Sequence, residues 1–172
     1  MNKRIDPEFF HRDVLEAAPD LVGKILVHRL PDGTELRERI AEVEAYRGEE
    51  DKGCHAAKGR TKRTELLYGE SGIIYVYLCY GMHWLMNVIT GEKDQPQGLL
   101  LRAGARFDGP AKLTKNMMID GSFNGIDLRG CEDIWFEDDG FRPDIRTAPR
   151  VGIDYAGEYW KDVEWRFIGS EE

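Results

Sequence analysis

From Ser71 to Gly91 the chain carries no charged side chain, although 33% of its 172 residues are charged. Such a run must either be buried or be kept apolar for a purpose. Roughly 20 apolar residues suffice to cross a bilayer, but Gly81, His83 and Asn87 interrupt this run, and β-branched and aromatic residues dominate its first half. It therefore reads as two strands around a tip bearing Tyr80, Gly81 and Met82 rather than as a membrane span. Alternation along the first strand puts Tyr77 and Tyr80 on opposite faces, so the two are expected to do different work.

The flanking sequence supplies the rest of a fold. Asp13 is a plausible N-cap for a helix reaching Leu21, with Gly23 at its end, followed by a strand over Lys24 to Arg29. Turn residues from Pro31 to Thr34 return the chain as a second strand from Glu35. On that strand Glu42, Glu44 and Tyr46 share one face and Val43 and Ala45 the other, so a carboxylate and a phenol point into the same space. Residues 47–60 read as a loop, 64–68 as a short helix and 91–98 as a polar loop. A buried strand follows over Leu99 to Arg102, then a helix starting at Gly109-Pro110. Weaker strand patterns lie at Ile134 to Glu137, Arg150 to Ile153 and Trp165 to Ile168. With no repeat, low-complexity tract or linker, one α+β domain over residues 1–172 is expected, large enough to bury about 70% of its unfolded surface.

Twenty-four Lys and Arg face 32 Asp and Glu, a formal charge of −8. That sum argues against coating a polyanion by charge alone. The charges are unevenly placed, however. Lys58, Arg60, Lys62 and Arg63 cluster without an acid among them, and acids collect between Glu132 and Asp144. A basic face on an acidic body can still bind a polyanion in a salt-sensitive way. Cys54, Cys79 and Cys131 suggest neither a disulfide framework nor a zinc site, which fits a reducing compartment. The N-terminus has no apolar signal-like stretch.

The motifs occur in a telling order. They are Val43-Glu44-Ala45-Tyr46, Asp51 through His55 to Gly59-Arg60-Thr61, and Tyr75-Val76-Tyr77-Leu78-Cys79-Tyr80-Gly81-Met82. Asn87, Leu100-Leu101-Arg102-Ala103 and Gly109-Pro110-Ala111-Lys112-Leu113 follow. Asn124-Gly125-Ile126-Asp127-Leu128, Arg150-Val151-Gly152-Ile153 and Ala156-Gly157-Glu158 complete the series. Over nearly its whole length the chain resembles the alkyladenine (3-methyladenine) DNA glycosylases built on an antiparallel sheet with a protruding hairpin. The resemblance implies a curved antiparallel sheet with flanking helices. It also implies a monofunctional hydrolase that flips alkylated purines out of duplex DNA and leaves an abasic site. The substrates implied are 3-methyladenine and 7-methylguanine, with hypoxanthine and ethenoadenine as further candidates.

By the same resemblance Tyr46, His55 and Tyr77 surround the flipped base, and Asn87 crowds the exocyclic amino group of guanine. Tyr80, helped by Met82, is the wedge that enters the minor groove, and an exposed tip is required of it. Glu44 is the acid that accepts a proton from the attacking water. Arg102 and the main-chain carbonyl of Val151 hold that water, and the Arg102 guanidinium is expected to keep Glu44 ionised. Arg60, Arg63 and Lys112 are candidate phosphate contacts. No metal and no redox cofactor is implied; the partner is double-stranded DNA, the protein a monomer, and its place the cytoplasm, at the nucleoid when bound. Ordinary sheet packing would also account for Tyr46 and Tyr77, and a surface role for His55. Two rival functions stay open: a noncatalytic nucleic-acid-binding module, and a hydrolase of free modified nucleosides. One departure from the family pattern is the short connection from Gly104 to Asp108, where relatives have a longer segment.

Overall fold

The computed structural model describes residues 2–171. In chain order the elements are β1 (Lys3–Arg4), α1 (Val14–Leu21), β2 (Ile25–Arg29), β3 (Glu35–Arg47), β4 (Ile74–Cys79), β5 (His83–Ile89), β6 (Gln97–Gly104), α2 (Pro110–Asn116), β7 (Ile134–Asp138), β8 (Ile145–Ala148), α3 (Glu158–Asp162) and β9 (Arg166–Gly169). All strand pairs are antiparallel, which with the three helices gives the α+β class.

The 13-residue β3 is the spine. Its first part, Glu35 to Arg39, pairs with β2, and through β2 with β7 and β1. From Ile40 onward it pairs with β6, which leads to β5 and β4. β9 takes up the edge that β2 leaves, opposite Glu42 to Glu44, and carries β8 beyond it. A strand with neighbours on both edges must satisfy two ladders, and β3 does so by bulging. Register slips between Ile40 and Glu42 and again between Glu42 and Val43, where Arg102 of β6 is the extra residue. Bulges bend a strand and re-aim its side chains.

The inward face follows the expected alternation. Val43 and Ala45 are fully buried against Val14, Ala17, Ala18 and Leu21 of α1. Each aliphatic side chain so buried stabilises the fold by about 1.5–3 kcal/mol. Asp13 caps α1, accepting the Leu15 N–H at 2.9 Å, and also binds the Arg47 guanidinium at 2.5 Å. That ion pair ties the end of β3 to the start of the helix.

The hairpin β4–β5 protrudes as expected. Its turn holds Tyr80 at φ 53° and Gly81 at φ 68°, and Met82 N–H reaches the Cys79 carbonyl at 3.2 Å. The left-handed region costs a tyrosine roughly 1–2 kcal/mol. β4 is an edge strand, and residues 124–127 cover part of its free side. Ile74 exchanges backbone bonds with Ile126 and Gly125, and the Val76 N–H is taken by the Asn124 side chain at 2.9 Å.

One sequence expectation fails. Residues 150–153 form no strand; the strand lies earlier, at β8, and the chain after it turns inward because Arg150 is buried in an ion pair described below. The short strand β1 and the helix α3 were not expected from sequence, and β6 starts two residues before Leu99.

The short connection from Gly104 to Asp108 closes over Glu38. This buried carboxylate accepts the Arg106 N–H at 2.8 Å and the Phe107 N–H at 3.1 Å, and binds Arg106 Nε at 2.8 Å. A Cβ on Gly104 would lie 2.4 Å from the same carboxylate. Glu38→Ala should therefore lower unfolding stability by about 2 kcal/mol, since two backbone donors lose a charged acceptor. Gly104→Ala should also destabilise, by steric conflict rather than lost bonding. Denaturant melts of the two variants check both expectations.

Candidate active site

Glu44 lies on β3 with only 1% of its surface exposed. Each of its oxygens holds one donor: Tyr46 Oη–H donates to Oε1 at 2.8 Å and Val151 N–H to Oε2 at 2.8 Å. Arg102 Nε stands 3.6 Å from Oε2. Arg102 faces the carboxylate because Glu44 pairs with Leu100, and a residue two further along β6 shares its face. Glu42 shares that face too, but Arg166 claims it at 2.9 Å across the β9 pairing, leaving Glu44 as the acid near the phenols.

Burial raises the Glu44 carboxyl above the ordinary glutamate range, against the opposing pull of the Val151 amide, the Tyr46 hydroxyl and the Arg102 guanidinium. Arg102 favours the charged form, as expected of it, but desolvation is the larger effect, and at 3.6 Å Arg102 makes no hydrogen bond to the acid. Val151 meets the acid through its N–H. Tyr46 is pushed well upward by burial and by the Glu44 charge, so it remains a phenol and a donor.

In front of Tyr46 lies a cavity of about 50 Å³, lined by Tyr46, His55, Tyr75, Tyr77, Asn87 and Tyr155 together with Gly53, Cys54, Leu67 and Gly98. His55 sits edge-on to Tyr77 with ring centroids 4.5 Å apart, and its Nδ1 lies 3.0 Å from Tyr75 Oη. Burial, then Arg63 and Lys58, lowers His55 to about 4, so the ring is neutral at neutral pH. Asn87 is buried and donates to the Tyr75 carbonyl at 3.2 Å. The structure thus brings Tyr46, His55, Tyr77 and Asn87 into one pocket with Glu44 behind it.

Two lining tyrosines were not singled out from sequence. Tyr75 could have been, since it stands two residues before Tyr77 on the same strand face. Tyr155 gave no signal: it lies in an irregular segment with no periodicity to mark which way it points.

A buried ion pair underlies the pocket. Asp51 and Arg150 have no exposed side-chain surface and meet bidentately at 2.7 and 2.8 Å. Arg150 also donates to the carbonyls of Ala45 and Trp160 and lies over the rings of Tyr46 (4.8 Å) and Trp165 (5.2 Å). Asp51 accepts the Arg47 and Gly53 N–H groups. Gly53 must lack a side chain, because a Cβ there would lie 2.9 Å from Arg150 Nη2. One charge pair thereby joins the end of β3, the loop carrying His55 and the segment carrying Val151.

Tyr80 stands away from the pocket at the hairpin tip, 90% exposed, with Met82 exposed beside it. This meets the exposure expected of a wedge. Of the cations, Lys112 is exposed near the start of α2, and Arg63 is exposed with its guanidinium 5.8 Å from the Tyr77 ring centroid. Arg60 binds Glu65 at 2.7 Å and Asp94 at 3.0 Å, so a phosphate would have to displace a carboxylate.

An acid buried behind an aromatic pocket, on a sheet with an exposed apolar hairpin, is the architecture of an enzyme acting on a flat ring. The profile of the methylpurine-DNA glycosylase (MPG) family matches residues 8–108 and 104–172, two segments that meet at the short connection after β6. The chain belongs to this family, and as a DNA glycosylase it has DNA as its partner. A protein of Natranaerobius thermophilus is 42% identical over 188 positions, covering 95% of this chain and 94% of its own. One of Desulfitobacterium hafniense is 42% identical over 193 positions (96% and 94%), and one of Psychrobacter cryohalolentis 38% over 198 (97% and 92%). All three bear the name "Putative 3-methyladenine DNA glycosylase". These alignments are longer than the 172-residue chain, so the relatives carry residues it lacks. Among the described residues no helix is long and apolar enough to cross a membrane.

The ion pair makes a quantitative expectation. Asp51→Ala leaves the Arg150 charge buried without its partner and should cost about 3–5 kcal/mol. Equilibrium denaturation measures the loss, and a cost below about 1 kcal/mol would show that Arg150 finds another acceptor.

Proposed function

We propose that this protein excises alkylated purines, 3-methyladenine and 7-methylguanine first, by hydrolysing their N-glycosidic bonds after everting them from duplex DNA. The observation that carries the reading is Glu44: a buried carboxyl, fixed by the Tyr46 hydroxyl and the Val151 amide beside Arg102, directly behind an aromatic pocket. In the reaction the bond between the sugar C1′ and the base nitrogen breaks, and its electron pair leaves with the base. A purine cationic through alkylation departs neutral. Glu44 takes a proton from water as the water oxygen bonds C1′, and its charge stabilises the oxocarbenium character of the sugar. Each Glu44 oxygen accepts a single protein hydrogen bond, so lone pairs remain for water. Arg102 and the Val151 carbonyl are assigned to hold that water.

The rings of Tyr46, His55 and Tyr77 select the base. A cationic purine gains about 0.5–2 kcal/mol over aromatic faces, which ordinary purines do not. His55 is neutral at working pH, so it adds no charge to oppose a cation. Asn87 crowds the exocyclic amino group of guanine and so sets selectivity rather than rate. Tyr80 and Met82 fill the gap in the stack from the minor groove, with Arg63, Lys112 and, on exchange of its acids, Arg60 at phosphates. The product is an abasic site with the strand intact, and the protein works as a monomer inside the cell.

Release of free 3-methyladenine and 7-methylguanine from methylated duplex DNA tests the mechanism. Glu44→Gln should be slower by at least about 100-fold, the low end of general-base effects. The variant should still fold, because the amide can accept from Val151 and donate to Tyr46. Equal release by wild type and variant overturns the assignment. The acid limb carries a second check. Glu44 must be ionised to act, and its proton is held more tightly than usual, so single-turnover rates should fall with decreasing pH through a midpoint above the ordinary glutamate range.

The wedge is tested separately. Tyr80→Ser should leave the melting temperature unchanged, since the side chain removed is exposed. It should also weaken excision of a paired lesion by about tenfold, the scale of one lost aromatic stacking contact. Unchanged excision removes Tyr80 from the mechanism.

A further inference from the structure

The aromatic pocket is not fully enclosed, and its walls are unequal. Cys54, Leu67, Tyr75 and Asn87 are buried, and Tyr46 is held between Glu44 and Arg150. Tyr155 alone among the lining residues is exposed, at 70%. A single hydrogen bond, from its hydroxyl to the Gly53 carbonyl at 3.1 Å, latches it to the loop that carries His55. It rides on one short turn, Asp154–Ala156, bounded by Gly152 at φ 75° and Gly157 at φ 86°. Ile153 and Ala156 are buried and anchor that turn, while the Tyr155 side chain between them projects to the surface.

We propose that Tyr155 is a base-binding residue: the exposed outer wall of the pocket, whose ring packs against the everted purine. The inference rests on the glycosylase reading and deepens it, adding a fourth aromatic contact to Tyr46, His55 and Tyr77. The same residue links recognition to chemistry, since Val151, whose amide fixes Glu44, lies four positions earlier in the same segment.

The test separates contact with the base from support of the fold. In a Glu44→Gln background, which prevents turnover, binding is measured to duplexes carrying 7-methylguanine and to duplexes carrying a tetrahydrofuran abasic analogue. Tyr155→Ala should weaken binding of the base-bearing duplex by about tenfold, as loss of one aromatic stacking partner does, while the abasic duplex binds as before. Tyr155→Phe, which keeps the ring and drops the bond to Gly53, should retain the preference for the base-bearing duplex. Equal loss on both duplexes would assign Tyr155 a structural role and overturn the proposal, as would no loss on either. With Glu44 intact, wild-type protein that releases no methylated purine sinks the glycosylase reading itself. Wild type that releases it, with Tyr155→Ala equally fast at limiting enzyme, sinks only this assignment.

Discussion

The pocket depends on a charge pair that never meets solvent. Asp51 and Arg150 lie 99 positions apart in sequence, and their contact is what makes three unrelated stretches of chain into one site. Burying two charges costs several kcal/mol per ion unless geometry and further hydrogen bonds offset it. Here the bidentate contact, two backbone N–H donors to Asp51 and two backbone carbonyl acceptors for Arg150 supply the offset. The guanidinium does more than neutralise. It lies over the Tyr46 ring, and the residue that follows it presents its amide to Glu44. Orientation of the Tyr46 ring and of the acid is therefore one structural fact.

Glu44 is held in an environment that works against its charge. Water would solvate a carboxylate better than two hydrogen bonds and an arginine at 3.6 Å do, and the raised proton affinity expresses that deficit. The fold thus carries an unfavourable term above the midpoint of this group, absent at low pH where the proton is bound. Stability given up at one position leaves the acid poorly solvated, a compromise that recurs at functional sites.

How far sequence reasoning reached follows from the range of each signal. The alternation of β3 was legible, and with it the convergence of Glu44 and Tyr46, because strand parity is local. The aromatic hairpin and its exposed tip were equally legible in an uncharged run within a polar chain. Long-range effects left no such trace. An ion pair between Asp51 and Arg150 has no periodicity, and Val151 and Ile153 beside Arg150 imitated a strand until the buried guanidinium bent the chain inward. The bulge at Arg102 is a register event between two strands and is invisible in either one. Arg60 looked like a free cation in an acid-poor stretch, but Glu65 lies just beyond that stretch, and Asp94 comes from a loop that only folding brings near. The sign of the Glu44 shift required knowing how completely water is excluded.

An exposed apolar hairpin on an edge strand invites a neighbour to add to the sheet. This molecule closes that route with residues 124–127, which take the free amides of Ile74 and Val76 before another chain can. Only the last residues before the tip stay unsealed, too short a ladder for strand addition. The fingertip can thus remain greasy and prominent in the crowded cell without zippering one copy onto the next.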